Sequence, residues 1–400
     1  MGKIIVVGGN FAGLTSALEL KRKLGNSHEV IMISKLPYFL FVPSLIWVPL
    51  GKREINDIIV PLEPVTSKAQ VDFICSEVTQ ILPEEKIVRC LDKDFSYDYL
   101  IIATGPEWSY NQVEGIGREN NISYIVTPET SMETRKRWTQ FMKNPGPVVI
   151  GATQGAQCTG PAYEFLFNFE KRCRDVGIRH KVDITFITPE PFLGHLGMEG
   201  ITGSNVILKK LLPIFKISYI INSEIEKVTG ETIQLKTGQN LPFQFSMIMP
   251  IFKGAKVVRN SKDLGNDKDF LPVNDAYQHK TYPNIFGVGI AADYPVQFKT
   301  PVPVGLPKTG YAADVSAKTA AENIVRLING NNQLKQKPMG NIPDLCIMDA
   351  GDKEMFSIAD RLLKPRKFSI VLPNPVYDIG KIIFEKYYLW KVKRGYSWMP

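Results

Sequence analysis

The chain of 400 residues carries a formal net charge of +8, with 44% hydrophobic and 22% charged residues. Those proportions exclude a collagenous, low-complexity or disordered polypeptide, and the length exceeds what one hydrophobic core usually serves, so two or more domains are expected. The charge is concentrated: residues 361–400 hold nine Lys or Arg against two acidic residues, which argues against a nucleic-acid-binding face and for an aromatic-rich tail meeting an anionic membrane surface. Five cysteines (Cys75, Cys90, Cys158, Cys173, Cys346) are odd in number, widely spaced and never in C-x-x-C, which points away from a structural zinc site and from a secreted disulfide frame. The opening "MGKIIVVGGNFAG" lacks the succession of a secretory signal, so a cytoplasmic start is expected. The apolar run "YFLFVPSLIWVPL" has 13 residues with two prolines, short of the roughly 20 that a spanning helix needs.

In chain order, "KIIVVGGNFAGLTSALELKRKLG" reads as a strand over 3–7, a tight glycine turn and an amphipathic helix over about 11–24, followed by the strand "EVIMIS" at 29–34. This is the βαβ unit that seats a dinucleotide pyrophosphate on a helix N-terminus. Its candidate contacts are Gly8, Asn10, Phe11, Ala12 and Gly13, with Asn10 in the second glycine place, and Ser34 and Lys35 where an acidic residue would meet the ribose. Next, "YDYLIIATGPE" at 97–107 is a strand ending in Ala103-Thr104-Gly105. A second strand and helix follow in "PVVIGATQGAQCTGPAYEFLFNF" at 147–169, but Thr153 and Ala156 occupy the second and third glycine places. Side chains there crowd the close approach of a pyrophosphate, so nicotinamide binding is expected to be degraded. Cys158, at or near the first turn of that helix, would feel the positive end of the dipole, which favours thiolate; the alternative is a small residue packing helix on strand. "TYPNIFGVGIAADYP" at 281–295 is a strand ending in Gly-rich backbone at Gly289. In the tail, Val376, Ile379, Ile383, Tyr387 and Trp390 fall on one face of a helix, with Asp378, Lys381 and Glu385 elsewhere and Lys391, Lys393 and Arg394 following. Such a helix suits a membrane interface, or a core helix docking on the first domain.

The "ATG" turn, the late Gly-rich turn and the opening βαβ unit together resemble the two-dinucleotide-binding-domain, glutathione-reductase-like flavoproteins, which implies FAD. Where that family carries an Asp in the late turn, this chain has Ile290, leaving backbone amides or Asp293 for the contact. Five further stretches are similar to the sulfide:quinone oxidoreductases, particularly the archaeal-type enzymes: "CTGPAYEF" from Cys158, "EPFLGHLGMEG" at 190–200, "VPVGLPKTGYAADVSAKTAAENI" at 302–324, "LCIMDAGDKEMF" at 345–356 and "GKIIFEKYYLWKVKRG" at 380–395.

That resemblance implies an α/β fold of two Rossmann-like domains, with an FAD domain in 1–110 and 271–330, a second domain in 111–270, and a C-terminal region in 331–400. It implies that Cys158 and Cys346 face the flavin and hold a disulfide or sulfur chain. Hydrosulfide attacks one sulfur, the released thiolate attacks flavin C4a, and repetition lengthens the chain until polysulfide or elemental sulfur leaves. Glu164 or His195 would take the proton, and Lys308 would stabilise negative charge on the flavin. Lys308, Thr309 and Gly310 would lie beside the flavin, and Phe356 and Gly310 beside a membrane quinone. No cysteine lies between 91 and 157, so the covalent tether of several family members is excluded and noncovalent FAD is expected. Cys75, Cys90 and Cys173 are expected to be structural. A peripheral location on the cytoplasmic side of the cell membrane is expected, with a homo-oligomer left open. The rivals are a type-II NADH:quinone reductase, the flavoprotein half of a flavocytochrome c, and a non-catalytic flavoprotein.

Overall fold

In the computed structural model, which describes residues 2–110, 112–374 and 379–399, strand β1 (Lys3–Val7), helix α1 (Phe11–Leu24) and strand β2 (Glu29–Ser34) keep the bounds that the apolar runs and glycine turn imply. β1 is buried from Ile4 to Val7, as a parallel strand covered on both faces must be. β2 pairs with one side of β1 and β3 (Asp72–Cys75) continues outward, while β4 (Tyr99–Ile102) pairs with the other side and the strand Ile285–Gly287 closes that edge; all four pairings are parallel. The sheet therefore switches direction between β1 and β4, and ligands of such sheets bind outside the carboxyl ends of the strands at that point.

A second parallel sheet repeats the plan. It is centred on β5 (Val148–Ala152), which leads into helix α2 (Gly160–Asp175) and pairs with β6 (Ile184–Ile187); β7 (Ile217–Ile220) lies beyond β6, and β8 (Phe245–Met249) and the short strand Ile122–Ser123 lie on the other side. Phe165 and Phe169 of α2 stack on Phe245 of β8, which explains why this helix is aromatic.

The chain then returns to the first domain. Helix α3 (Gly310–Ile328) packs on α1, and Thr15 Oγ1 donates to Asp314 at 2.8 Å. An antiparallel sheet of β9 (Asp344–Asp349), β10 (Glu354–Ala359) and β11 (Ser369–Asn374) follows, and helix α4 (Gly380–Arg394) ends the fold. Among the described residues no helix is long and apolar enough to cross a membrane.

The orientation of α4 combines the two alternatives that its sequence pattern left open. Its inner side docks on the first domain, with Tyr388 against Phe11, Phe39 and Phe41. Ile379, Ile383, Phe384 and Trp390 face outward, exposed between 38% and 59%, while Tyr387 is half-buried; Val376 and Asp378 lie outside the described residues. Charge goes inside: Lys381, Glu385 and Lys391 are buried. Glu385 accepts from Arg53 at 2.9 Å and Ser44 at 2.5 Å, and Lys391 lies 3.9 Å from Asp314. Lys381 and Lys391 are thus spent internally, and the basic tail presents Lys386, Lys393 and Arg394 outward from this helix.

The turn before α1 sets a sharp steric requirement, because a Cβ on Gly13 would sit 1.9 Å from Gly8 O. Gly13→Ala is expected to cost about 1–3 kcal/mol and to weaken flavin retention, read as the denaturant midpoint and the flavin content of the purified protein. A midpoint unchanged from wild type contradicts this packing.

Candidate functional site

The predicted cofactor residues meet at the switch point of the first sheet. Gly8 has φ +116°, and a Cβ there would lie 2.2 Å from Ala103 O, so the chain after β1 passes against the chain after β4 only as glycine. α1 starts without a side-chain cap and without an acid in its first turn; Asn10 Oδ1 instead accepts from Leu40 N at 3.3 Å. Uncapped first-turn amides are what a phosphate needs. A Cβ on Gly289 would lie 3.0 Å from Ala12, and one on Gly310 3.2 Å from the Phe11 ring, so the two later turns reach the same place. Gly310 opens α3, which Thr309 caps by accepting from Ala312 N at 3.4 Å. The buried Thr104 hydroxyl has no protein partner. This cradle of uncapped amides, Cβ-free turns and one unpartnered hydroxyl fits FAD. Ser34 is partly engaged by the backbone of Leu36, at 3.0 and 3.3 Å, and Lys35 is exposed.

Lys308 is buried beneath the late turn. Its Nζ donates to Ile290 O at 3.0 Å and Ala292 O at 2.9 Å and stands 3.6 Å from the centre of the Phe270 ring. Burial draws its pKa down to about 7, against a smaller upward pull from Asp293. The charge on the cation expected here is therefore weakened by burial, and the group is tethered to the backbone of the turn it supports.

In the second domain the degraded glycine turn is filled by the chain itself. Gly155 N donates to Pro303 O at 2.6 Å, Gly305 N donates to Ala156 O at 3.0 Å, and a Cβ on Gly305 would come within 2.5 Å of Gln157. The proline-rich segment 301–307 thus lies across the amides that a nicotinamide dinucleotide would use. Thr188, just past β6, commits its hydroxyl to Glu190 at 2.9 Å.

Cys158 precedes α2 by two residues, and the thiolate-favouring dipole expected there is outweighed. Burial pushes its thiol up to about 12, the charge of Glu164 adds to the rise, and a hydrogen bond from the Gly160 backbone opposes it. Sequence shows the helix start but not how little solvent reaches it. Cys346, on β9, is raised by burial and then by Asp344, Glu164 and Cys158, with Lys381 pulling the other way. It keeps an exposed surface although protein surrounds its thiol, as on the wall of a recess. Cys158 and Cys346 are thus near enough to feel each other's charge, and both are free thiols. Of the others, Cys90 and Cys173 are buried, while Cys75 is exposed at the end of β3, so burial does not account for it.

Glu164 links the two cysteines. It is buried and ion-paired with Lys381, and its Oε1 accepts from Asp349 N at 2.8 Å. Burial raises its pKa while Lys381 and the amide lower it. Asp349 in turn takes Trp47 Nε1 at 2.8 Å and Lys52 at 2.9 Å. This is a buried pair between α2 and α4, and Lys381 is a residue that the helix pattern had assigned only to a polar side.

His195 is buried between the edges of Phe192 and Phe298, with Nδ1 unpartnered, and burial draws its pKa down to about 4. Phe356 pairs with Ile347 across the β9–β10 ladder, while Cys346 pairs with Ser357. By strand alternation Phe356 and Cys346 lie on opposite faces of that sheet. Glu190, the first residue of the stretch 190–200 that carries His195, is buried and carries four hydrogen bonds; the stretch stood out by its likeness, but no role was read for Glu190.

Two dinucleotide-binding sheets with an uncapped FAD turn and a cysteine pair define a flavin-dependent disulphide oxidoreductase class, and the profile of the pyridine nucleotide-disulphide oxidoreductases matches residues 2–304. The chain is 38% identical to the sulfide-quinone reductase of Aquifex aeolicus, over 98% of this chain and 91% of that one. The crystal structure of the sulfide:quinone oxidoreductase from that bacterium superposes with a TM-score of 0.94 at 36% identity, covering 99% and 92% of the two chains. A type II NADH:quinone oxidoreductase of Staphylococcus aureus is more distant, at 26% identity over 82% of this chain and 83% of its own. The chain therefore belongs to the pyridine nucleotide-disulphide oxidoreductases and, within them, to the sulfide:quinone reductases.

The raised thiol has a direct readout. In reduced protein, alkylation of Cys158 by iodoacetamide should keep rising about tenfold per pH unit from pH 8 to beyond pH 10, since only thiolate reacts. A plateau at the ordinary thiol pKa of about 8.5 contradicts the buried setting.

Proposed function

We propose that this enzyme oxidises sulfide and passes the electrons through noncovalent FAD to a membrane quinone, on the cytoplasmic face of the membrane. The observation that carries the reading is the cluster of Cys158, Cys346 and Glu164, drawn from two domains to one place, beside a nicotinamide turn that the chain has filled.

Hydrosulfide adds to one sulfur of the oxidised Cys158–Cys346 pair. The S–S bond breaks, leaving one cysteine as a persulfide and the other as a thiolate. Bound FAD supplies the two-electron acceptor that lets this pair re-form as a bridge one sulfur longer. Overall, one sulfide gives one zero-valent sulfur, two electrons and its protons, and the quinone takes up two electrons and two protons. Glu164, held by Lys381 and the Asp349 amide, is the group placed to receive the proton of hydrosulfide; His195, uncharged near neutrality with a pKa of about 4, is a much weaker base there. Lys308 would steady negative charge at the flavin, and Phe356 and Gly310 would border the quinone.

The outward apolar face of α4, flanked by Lys386, Lys393 and Arg394 and continued by the exposed Trp398, suits the boundary between headgroups and acyl chains. A quinone reductase needs an apolar face to reach its lipid-soluble substrate. The NADH reading has no comparable support, because segment 301–307 lies where the dinucleotide would go.

Anaerobic sulfide should bleach the flavin band near roughly 450 nm, NADH should not, and a short-chain quinone should restore the colour. Cys158→Ser and Cys346→Ser should each abolish bleaching by sulfide. Bleaching by NADH alone would overturn the reading. In vesicle flotation with anionic lipid, Ile383→Ser combined with Trp390→Ser should lower partitioning by about tenfold or more; unchanged flotation would remove α4 as the contact.

A further inference from the structure

The second glycine turn and the His195 loop are joined by one carboxylate. Glu190 Oε1 accepts from Thr159 Oγ1 at 3.1 Å and from the backbone N–H of Leu196. Its Oε2 accepts from Tyr163 OH at 2.6 Å and Thr188 Oγ1 at 2.9 Å. The four donors are uncharged and come from three places: the start of α2, the end of β6 and the loop after it. Tyr163 OH also accepts from Gly194 N at 3.0 Å, so both sides of His195 are held by this arrangement.

That loop needs holding. Leu196 and Glu199 have φ of 55° and 61°, a left-handed conformation that costs a non-glycine residue about 1–3 kcal/mol, and the Leu196 amide is the one that Glu190 grips. At the other end, Thr159 is the N-cap residue of α2, yet its hydroxyl makes no bond to its own helix; it goes to Glu190 instead. A Thr in that place normally accepts from a first-turn amide. Thr159 follows Cys158 directly, so its bond to Glu190 fixes the turn on which Cys158 stands.

We propose that Glu190 is a positioning residue for the thiol chemistry: its carboxylate locks the Cys158–Thr159 turn to the His195–Leu196 loop and so fixes where the Cys158 sulfur stands. The inference rests on the proposed sulfide oxidation for its kinetic arm, and a separate thiol measurement stands without it. The donors are all on the second domain.

Glu190→Gln keeps the shape but turns an amide NH2 toward hydroxyls and a backbone N–H that all donate. In stopped flow the variant should be reduced by sulfide at least about tenfold more slowly than wild type, while reoxidation of the dithionite-reduced flavin by quinone stays within about twofold. Alkylation of Cys158 at fixed pH, mapped by mass spectrometry, should rise by about threefold or more as the loosened turn lets water reach the thiol. Thr159→Val removes one donor and should move each quantity the same way by less; the double variant should be no slower than Glu190→Gln alone, as members of one unit behave. If Glu190→Gln fails to fold, Thr159→Val carries the test. Equal slowing of the two half-reactions, or Cys158 alkylation unchanged in both variants, overturns the proposal. A wild-type flavin that sulfide does not bleach overturns the sulfide reading instead, and the alkylation comparison still decides the role of Glu190.

Discussion

The buried ion pair of Glu164 and Lys381 is the constraint from which the site takes its form. Glu164 stands on α2 and Lys381 on α4, and both are withdrawn from water. Removing one partner of such a pair leaves an uncompensated charge and costs about 3–5 kcal/mol, so the two helices are held together by the penalty of parting them. The same carboxylate takes the Asp349 amide at the end of β9, three residues after Cys346. One side chain therefore sets the distance between a strand bearing one cysteine and a helix preceded by the other. It also fixes the rotation of α4, since a helix that must bury Lys381 and Glu385 has to turn Ile383 and Trp390 outward.

That rotation joins chemistry to location. An amphipathic helix in a globular protein ordinarily buries its apolar stripe; here Tyr388, Leu389 and Val392 dock on the first domain while Ile383, Phe384 and Trp390 are left facing solvent. The helix that pairs with Glu164 near the cysteines is the one that presents the outward apolar residues. In the second dinucleotide domain the turn keeps its backbone course, and segment 301–307 engages the Gly155 amide and the Ala156 carbonyl of that turn. What remains of that domain is a scaffold for Cys158.

The first βαβ unit was legible to the residue because strand, glycine turn and helix obey local rules, and the two later turns followed by their family likeness. The apolar face of the last helix was legible as a face, but spacing does not say whether lipid or protein covers it; that depends on Arg53, Glu164 and Asp314, which are distant in sequence. The thiol of Cys158 was read from its helix dipole, and burial reversed the direction, since dielectric surroundings are a property of the folded whole. Glu190 and the role of Pro303 were invisible for the same reason: their partners are backbone groups and hydroxyls with no pattern in the sequence. Cys158 and Cys346, by contrast, stand in stretches whose likeness to the sulfide:quinone reductases was evident, and the structure brings them near enough to feel each other's charge.

The central claim is that Cys158 and Cys346 form one redox centre. The most direct measurement is mass spectrometry of a non-reducing digest of the air-oxidised enzyme, prepared with and without prior sulfide. The account predicts a peptide containing Cys158 linked to one containing Cys346, directly or through added sulfur atoms that increase after sulfide. Cysteines that remain separately alkylated under both conditions, with no linked pair at any sulfur count, would contradict it.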